Sequence, residues 1–169
     1  MDLTIKEDAF LLIIESNKGI IYKVVNAYCK DLEDRKDLFQ EIVLQLWKSF
    51  PNYKEQFKHS TWIYKIALNI AISFYRKKII RRNISDPFSE SLFNLSDLQE
   101  NNELETNLML LQQFISELKE LDKALILLYL DEKSYKEISE IIGISETNVG
   151  TKIHRIKEEL KTKFSQIKS

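Results

Sequence analysis

The 169-residue chain has very little of the residues that punctuate turns or close covalent frameworks. It contains 3 Gly, 2 Pro and 1 Cys, whereas average usage would give about 12 Gly and about 8 Pro. A fold of many short strands needs many turns, so this composition disfavours a sandwich or a barrel. The single Cys29 excludes an intramolecular disulfide and a cysteine-based zinc finger.

Long apolar runs are missing as well. No stretch approaches the roughly 18 apolar residues of a membrane span, and the first residues lack the basic region of a signal peptide. At the same time 44% of the residues are hydrophobic, which is enough to build a core. We therefore expect a soluble, all-α protein of the reducing cytoplasm that does not insert into membranes.

Charge is balanced in total but segregated along the chain. The 25 Lys and Arg and 26 Asp and Glu give a net charge of -1. Residues 56–85 hold seven basic residues and no acidic one, residues 83–105 hold six acidic and no basic ones, and the residues after Thr147 hold six basic against two acidic. Each run alone is compatible with a solvated helix face. Two basic zones separated by an acidic one favour two contacts with a polyanion such as nucleic acid.

The acidic zone also breaks the helical periodicity, and it is rich in Ser, Asn and Asp with Pro87 near its start. We interpret residues 83–105 as a linker between two small helical domains, residues 1–82 and residues 106–169. No internal repeat is evident.

Apolar residues at helical spacing predict four helices before the linker. The first should end near Gly19 and the second should follow it directly, up to Tyr28. Asp34 is the expected N-cap of the third, and Ser60 or Thr61 that of the fourth. After the linker, apolar residues at helical spacing from Leu104 to Leu118 predict an amphipathic helix, and residues 124–130 predict a short helix buried on most sides.

A helix-turn-helix is the clearest motif in the chain. Ser134 and Glu137 fit a capping box, Gly143 suits the turn, and Ser145 can cap a second helix. That helix would bury Val149, Ile153, Ile156 and Leu160. Its outward residues offer donors, acceptors and cations suited to the major groove, although a helical hairpin with a solvated basic face is the alternative. The outward residues of interest are Thr147, Asn148, Thr151, Lys152, His154, Arg155 and Lys157.

Aromatic and basic residues alternate from position 50 to 82. Aromatic rings stack on single-stranded or extruded bases better than on duplex DNA, so this region suits melted DNA. We expect the rings of Tyr53, Tyr64 and Tyr75 to be exposed. The rings of Phe57, Trp62 and Phe74 fit the core better.

Acidic and amide side chains cluster on the third predicted helix at Asp37, Gln40, Glu41 and Gln45. On a protein that otherwise suits a polyanion, this face indicates a basic protein partner. A solvated face is the simpler alternative.

Three segments together resemble one family. Residues 37–47 (DLFQEIVLQLW), residues 60–71 (STWIYKIALNIA) and residues 137–146 (EISEIIGISE) with Val149 are similar, in this order, to motifs of RNA polymerase sigma factors of the extracytoplasmic-function (ECF) class. The resemblance covers most of the chain.

The resemblance implies core RNA polymerase and promoter DNA as partners, and no catalysis, cofactor, metal or small-molecule substrate. The implied polymerase contacts are Asp37, Gln40, Glu41, Leu44 and Gln45. The implied minus-ten contacts are Tyr53, Lys58, Trp62, Tyr64, Lys65, Asn69, Arg76 and Lys77. The helix-turn-helix residues named above would read the minus-thirty-five element. An anti-sigma factor is a further candidate partner, because many members of the family are held inactive by one.

The chain departs from the family pattern at Arg35 and Lys36, and at Asn148 and Gly150 in the recognition helix. A free-standing helix-turn-helix regulator is the alternative function, but it leaves the acidic face and the aromatic region unexplained. An enzyme has little support, because the two histidines lie far apart and no phosphate-binding or metal-binding spacing occurs.

Overall fold

A computed structural model describes residues 2–85 and 102–168 of the protein. Both described segments are almost wholly α-helical and contain no strand, and none of their helices is long and apolar enough to cross a membrane. The helices are α1 (Leu3–Tyr28), α2 (Leu32–Ser49), α3 (His59–Ser85), α4 (Glu103–Ser116), α5 (Glu120–Leu130), α6 (Tyr135–Ile142) and α7 (Glu146–Lys168). A 3₁₀ turn, Phe50–Asn52, follows α2.

The first half of the protein is a bundle of α1, α2 and α3. One stripe of each helix is buried where the three meet, which is what the helical spacing of the apolar residues predicts. The Phe10 ring closes one end of this core, with its centroid 5.1 Å from that of Trp47 and 5.4 Å from that of Phe50. The buried stripes include Ile21, Val24, Val25, Leu38, Ile42, Leu46, Ile63, Ala67, Leu68 and Ala71.

Helix α1 runs unbroken through Gly19, so the expected helix end at this residue is wrong. Residues on both sides of Gly19 pack into the bundle, Phe10 before it and Ile21 after it. Burial of an apolar side chain is worth about 1.5–3 kcal/mol, and a glycine inside a helix costs only about 1 kcal/mol. Tertiary packing therefore overrides the local preference for a break.

The starts of α2 and α3 also differ from the expected caps. Helix α2 begins at Leu32, and Asp34 lies in its first turn, where its carboxylate accepts a hydrogen bond from Lys78 of α3. Helix α3 begins at His59, so Ser60 and Thr61 lie inside it rather than at its cap. The predicted residues are of types that commonly cap helices. In the structure, however, Asp34 contacts another helix, and Ser60 and Thr61 lie within the first turn of α3.

The second half packs α4–α7 around further apolar residues, which form one hydrophobic cluster with those of the first half. The buried α5, with Ala124 and Leu125 inaccessible, confirms the prediction of a short helix that is buried on most sides. Helix α4 buries Phe114 and Ile115, whereas Leu104 and Leu108 of the expected apolar stripe are exposed. The core of this half includes Leu110, Leu118, Leu128, Ile138, Ile141, Val149, Ile153, Ile156 and Leu160.

The two halves are packed against each other, with α5 lying on α1 and α3 and α6 lying on α3. The Tyr28 hydroxyl donates a hydrogen bond to the Glu120 backbone oxygen at 2.5 Å. Lys123 is only 2% exposed, and its Nζ lies 5.4 Å and 4.4 Å from the ring centroids of Tyr28 and Tyr75. Burial lowers the pKa of Lys123.

The predicted linker lies mostly outside the described residues. Helix α3 continues through Ser85 and α4 starts at Glu103, so both ends of the 83–105 segment are helical. The acidic residues between positions 86 and 101 are among those that the structure does not describe.

Candidate nucleic-acid interface

The helix-turn-helix is formed by α6 and α7, as the sequence predicts. The Ser134 hydroxyl accepts a hydrogen bond from the Glu137 amide at 3.1 Å, and the Glu137 carboxylate accepts one from the Ser134 amide at 2.8 Å. Gly143 ends α6 with a φ of 83°, a left-handed conformation that favours glycine. The Ser145 hydroxyl then accepts from the Asn148 amide at 3.2 Å, so both helix starts carry the expected caps.

The side chains on the outer face of α7 form two groups, those that are accessible and those that are bonded to residues of α5. Thr147, Asn148, Thr151 and His154 are exposed, and Lys152 is half-buried. Arg155 donates from one guanidinium nitrogen to both carboxylate oxygens of Asp122 in α5, at 2.9 Å each.

The Arg155–Asp122 contact fixes the guanidinium beside α5 and raises the pKa of Arg155. Lys157 is half-buried and donates to the Tyr129 hydroxyl at 3.2 Å. The N-terminal part of α7 is therefore the part that is free to reach base edges, as in a recognition helix.

Packing within the motif does not require a glycine at position 150. A Cβ built at this position would lie 3.4 Å from the Tyr135 ring, which begins α6. This is an ordinary van der Waals distance, so the position has room for an alanine.

A second concave surface lies at the loop before α3. A pocket of about 280 Å³ is lined by residues of this loop, by the first turns of α3 and by Glu140 of α6. The Tyr53 ring centroid lies 4.8 Å from that of Trp62. Phe57, expected in the core, is 43% exposed, so this ring is open at the pocket and was missed as a site residue. The signal in the sequence that could have identified Phe57 as a site residue was its position in a loop between two helices.

Tyr64 is buried, which contradicts the expectation of an exposed ring. It is 1% exposed, and its hydroxyl donates to Asp131 Oδ2 at 2.6 Å. Burial and this hydrogen bond raise the pKa of Tyr64. In this arrangement the Tyr64 hydroxyl links the two halves, and its ring is not accessible at the surface. Tyr53 and Tyr75, also expected to be exposed, are half-buried.

Exposed polar residues continue the surface along α3. Lys65, Asn69 and Arg76 are four and seven residues apart, which places them on one face of the helix, and all three are exposed. Lys77 is also exposed and lines a groove with Asn69. Lys58 precedes the helix and is exposed. These cations suit phosphate contacts along a strand.

The acidic and amide face of α2 is accessible. Asp37, Gln40, Glu41 and Leu44 are exposed, and the half-buried Gln45 donates to Glu41 at 3.0 Å. Beside this face α1 and α2 form an open, mainly apolar groove of about 580 Å³, lined by Gln40 and Leu44 and by residues of α1 that were not predicted as site residues. The added residues are Glu7, Phe10 and Leu11.

The departure at Arg35 has a structural explanation. Its Nε donates to the Cys29 backbone oxygen at 2.9 Å, which satisfies a carbonyl at the end of α1. Cys29 itself is buried, and burial raises the pKa of its thiol. Within residues 2–85 and 102–168, no group of three or more His, Cys, Asp or Glu side chains could hold a metal ion.

Comparison with known proteins identifies both halves. Residues 13–79 match the family model described as Sigma-70 region 2, and residues 108–160 match the one described as Sigma-70, region 4. The ECF RNA polymerase sigma factor SigM of Bacillus subtilis is 30% identical over 147 residues, which is 86% of this chain and 89% of SigM. The chain belongs to the ECF sigma factor family.

Other relatives agree with this assignment. SigW of Bacillus subtilis, also an ECF RNA polymerase sigma factor, is 28% identical over 171 residues, covering 95% of this sigma factor and 91% of SigW. The fold matches that of CnrH, solved in complex with the cytosolic domain of CnrY, with a TM-score of 0.68 at 15% identity and coverage of 95% and 90% of the two chains. The sigma factor RpoE of Bartonella quintana, solved with the anti-sigma factor NepR, matches with a TM-score of 0.68 at 17% identity over 92% of this chain and 94% of RpoE.

Proposed function

We propose that this sigma factor binds core RNA polymerase in the cytoplasm and directs it to a specific class of promoters. The first half reads and melts the minus-ten element, and the helix-turn-helix of the second half reads the minus-thirty-five element. The protein contributes no covalent chemistry and needs no cofactor. An anti-sigma protein is a further expected partner.

One observation carries the proposal. A single chain that belongs to the sigma factor family exposes an acidic and amide face on α2, an aromatic pocket before α3, and the polar N-terminal part of α7. A regulator acting alone would need only the last of these surfaces. When polymerase holds two modest DNA contacts together, linkage raises the effective concentration of the second, so neither has to be strong alone.

Accessibility and the family resemblance together support the following residue roles. Asp37, Gln40, Glu41, Leu44 and Gln45 are assigned to polymerase. Tyr53, Phe57 and Trp62 are assigned to an extruded minus-ten base, since a stacked base is worth about 1–3 kcal/mol. Lys58, Lys65, Asn69, Arg76 and Lys77 are assigned to the strand beside it. Thr147, Asn148, Thr151, Lys152 and His154 are assigned to the minus-thirty-five duplex, with Arg155 and Lys157 at its phosphates.

The first experiment tests polymerase binding with a charge reversal. Asp37→Arg should abolish binding to bacterial core polymerase without changing the helix content, because Asp37 is exposed. Glu105→Arg is the matched control, since it makes the same charge change at an exposed position of α4. Unchanged polymerase binding by Asp37→Arg would remove the assigned role of α2.

The second experiment tests promoter reading. The holoenzyme is used to transcribe a library of genomic fragments, and the selected promoters are compared between the parent and the Asn148→Ala variant. A lost base contact costs about 1–3 kcal/mol, so the preference at one position of the minus-thirty-five element should relax. Thr162→Ala, exposed at the far end of α7, should select the parental promoters. Tight duplex binding by the chain alone, without polymerase binding, would instead indicate a free-standing regulator.

A further inference from the structure

An acidic side chain is buried against the recognition helix. Asp122 lies in the first turn of α5 and is only 7% exposed. Its two carboxylate oxygens accept hydrogen bonds from Arg155 Nη2 of α7, each at 2.9 Å. A buried carboxylate needs such a partner, because an unpaired charge is costly away from water. A carboxylate also repels phosphates, however, so its place beside a cation that is assigned to DNA needs a physical reason.

The Arg155 guanidinium keeps donors for a second anion. Both hydrogen bonds to Asp122 come from Nη2, and Nη1 lies 3.7 Å from Glu159 Oε2, which is longer than a hydrogen bond. A guanidinium carries five N–H donors, so those of Nη1 and Nε remain for a phosphate. The Arg155 side chain is also 52% exposed. It can therefore bind Asp122 on one side and a phosphate on the other.

Arg155 lies on the face of α7 that carries residues assigned to the bases. Asn148, Lys152 and Arg155 are spaced by four and three residues, which places them on one side of the helix. The seven residues from Asn148 to Arg155 correspond to about 10 Å along the helix axis, and the major groove is about 12 Å wide. When the N-terminal part of α7 lies in the groove, Arg155 is therefore near the groove edge, where the phosphates are.

The helix that carries Asp122 is a firm support. The three residues that follow Asp122 in α5, namely Lys123, Ala124 and Leu125, are at most 2% exposed. Asp122 and Arg155 also both belong to the second half of the protein, so their contact does not depend on how the two halves are arranged. The pair is thus suited to act in the complex with polymerase as well as in the free protein.

We propose that Asp122 is a positioning residue for promoter binding, which holds the Arg155 guanidinium in place for a phosphate of the minus-thirty-five element. The inference rests on the proposed function, because it concerns the duplex that α7 would read. A free arginine side chain loses rotamer freedom when it binds, whereas Asp122 has already restricted that freedom. The repulsion between Asp122 and the phosphate is the smaller effect, because the guanidinium lies between them and salt screens their charges.

The test compares two variants that each remove one negative charge from beside Arg155. Asp122→Ala removes the carboxylate that holds the guanidinium. Glu159→Gln is the matched control, because Glu159 is close to Arg155 but does not hydrogen bond to it. The probe is a labelled promoter fragment that the parent holoenzyme selects from the genomic library. The affinity of each holoenzyme for this fragment is measured by fluorescence anisotropy over a range of salt concentrations.

The two variants should differ in sign or in size. Asp122→Ala should weaken promoter binding by about two- to tenfold, which is the effect of ordering one long side chain, although loss of a negative charge alone would tighten binding. Glu159→Gln should leave binding unchanged or tighten it. Arg155→Ala should reduce the slope of log affinity against log salt by about 0.9, since one phosphate contact is lost. In the Arg155→Ala background, Asp122→Ala should no longer weaken binding.

Three results would overturn the proposal. Unchanged or tighter binding by Asp122→Ala would mean that the carboxylate does not help Arg155. A loss of affinity that persists in the Arg155→Ala background would mean that Asp122 only maintains the fold of the second half. An unchanged salt slope for Arg155→Ala would remove the phosphate contact itself. All three leave the proposed function intact, because that function fails only if the parent holoenzyme selects no promoter fragment, and the inference then fails with it.

Discussion

The continuity of α1 can be tested by replacing Gly19 with alanine. Gly19 is exposed in the middle of the helix, and a Cβ at this position would meet no atom within 4 Å. Alanine is favoured over glycine inside a helix by about 1 kcal/mol. Since no contact opposes this preference, Gly19→Ala should stabilise the protein by about 1 kcal/mol. For a chain of this size the change corresponds to a rise in Tm of about 2–4 °C.

The alternative structure predicts the opposite sign. If a helix ended near Gly19, as the sequence suggested, the glycine would take the left-handed conformation that alanine adopts only at a cost of about 1–2 kcal/mol. Gly143→Ala is the matched control, because Gly143 does have this conformation, with a φ of 83°. Differential scanning calorimetry should therefore give a higher Tm for Gly19→Ala and a lower Tm for Gly143→Ala. A lower Tm for both variants would refute the continuous helix.

Three further predictions concern single side chains. Tyr64→Phe should weaken the packing of the two halves by about 1.5–3 kcal/mol, the usual worth of a hydrogen bond to a charged group, as measured by chemical denaturation. Because the pKa of Asp131 is lowered, its stabilising contacts should be complete above pH about 4 and be lost as the pH falls further; Asp131→Asn should flatten this part of the stability profile. The Cys29 thiol, buried and with a raised pKa, should react with a thiol reagent only after unfolding, as followed by mass spectrometry.

Features set by neighbours in the sequence were predictable. The capping box of Ser134 and Glu137, the turn at Gly143 and the cap at Ser145 all depend on residues within a few positions of one another, and all are present. The acidic face of α2 was predictable for the same reason, because one helical turn brings its members together. The accessibility of the residues of this acidic face agrees with the site assigned to it from the sequence, although the roles themselves stay predictions.

Features set by distant contacts were not predictable in the same way. Tyr64 looked exposed because it lies off the apolar stripe of α3, and only the packing of the second half buries it against Asp131, 67 positions away. Asp34 looked like a cap but bonds Lys78 across the bundle. In each case a contact between helices overrides the local signal, and the sequence alone did not show how the two halves are arranged.

Lys123, which is buried between the two halves, allows the packing of the halves to be measured by a chemical reaction. In the packed protein the Lys123 amine lies between the Tyr28 and Tyr75 rings and is shielded from water. If the halves separate, the same amine becomes hydrated, its pKa rises to an ordinary value, and amine-reactive reagents reach it. The rate of acylation at Lys123, relative to that at an exposed lysine without an assigned contact such as Lys161, thus gives the population of separated molecules without an attached dye, and it does so in the free protein and in complexes alike.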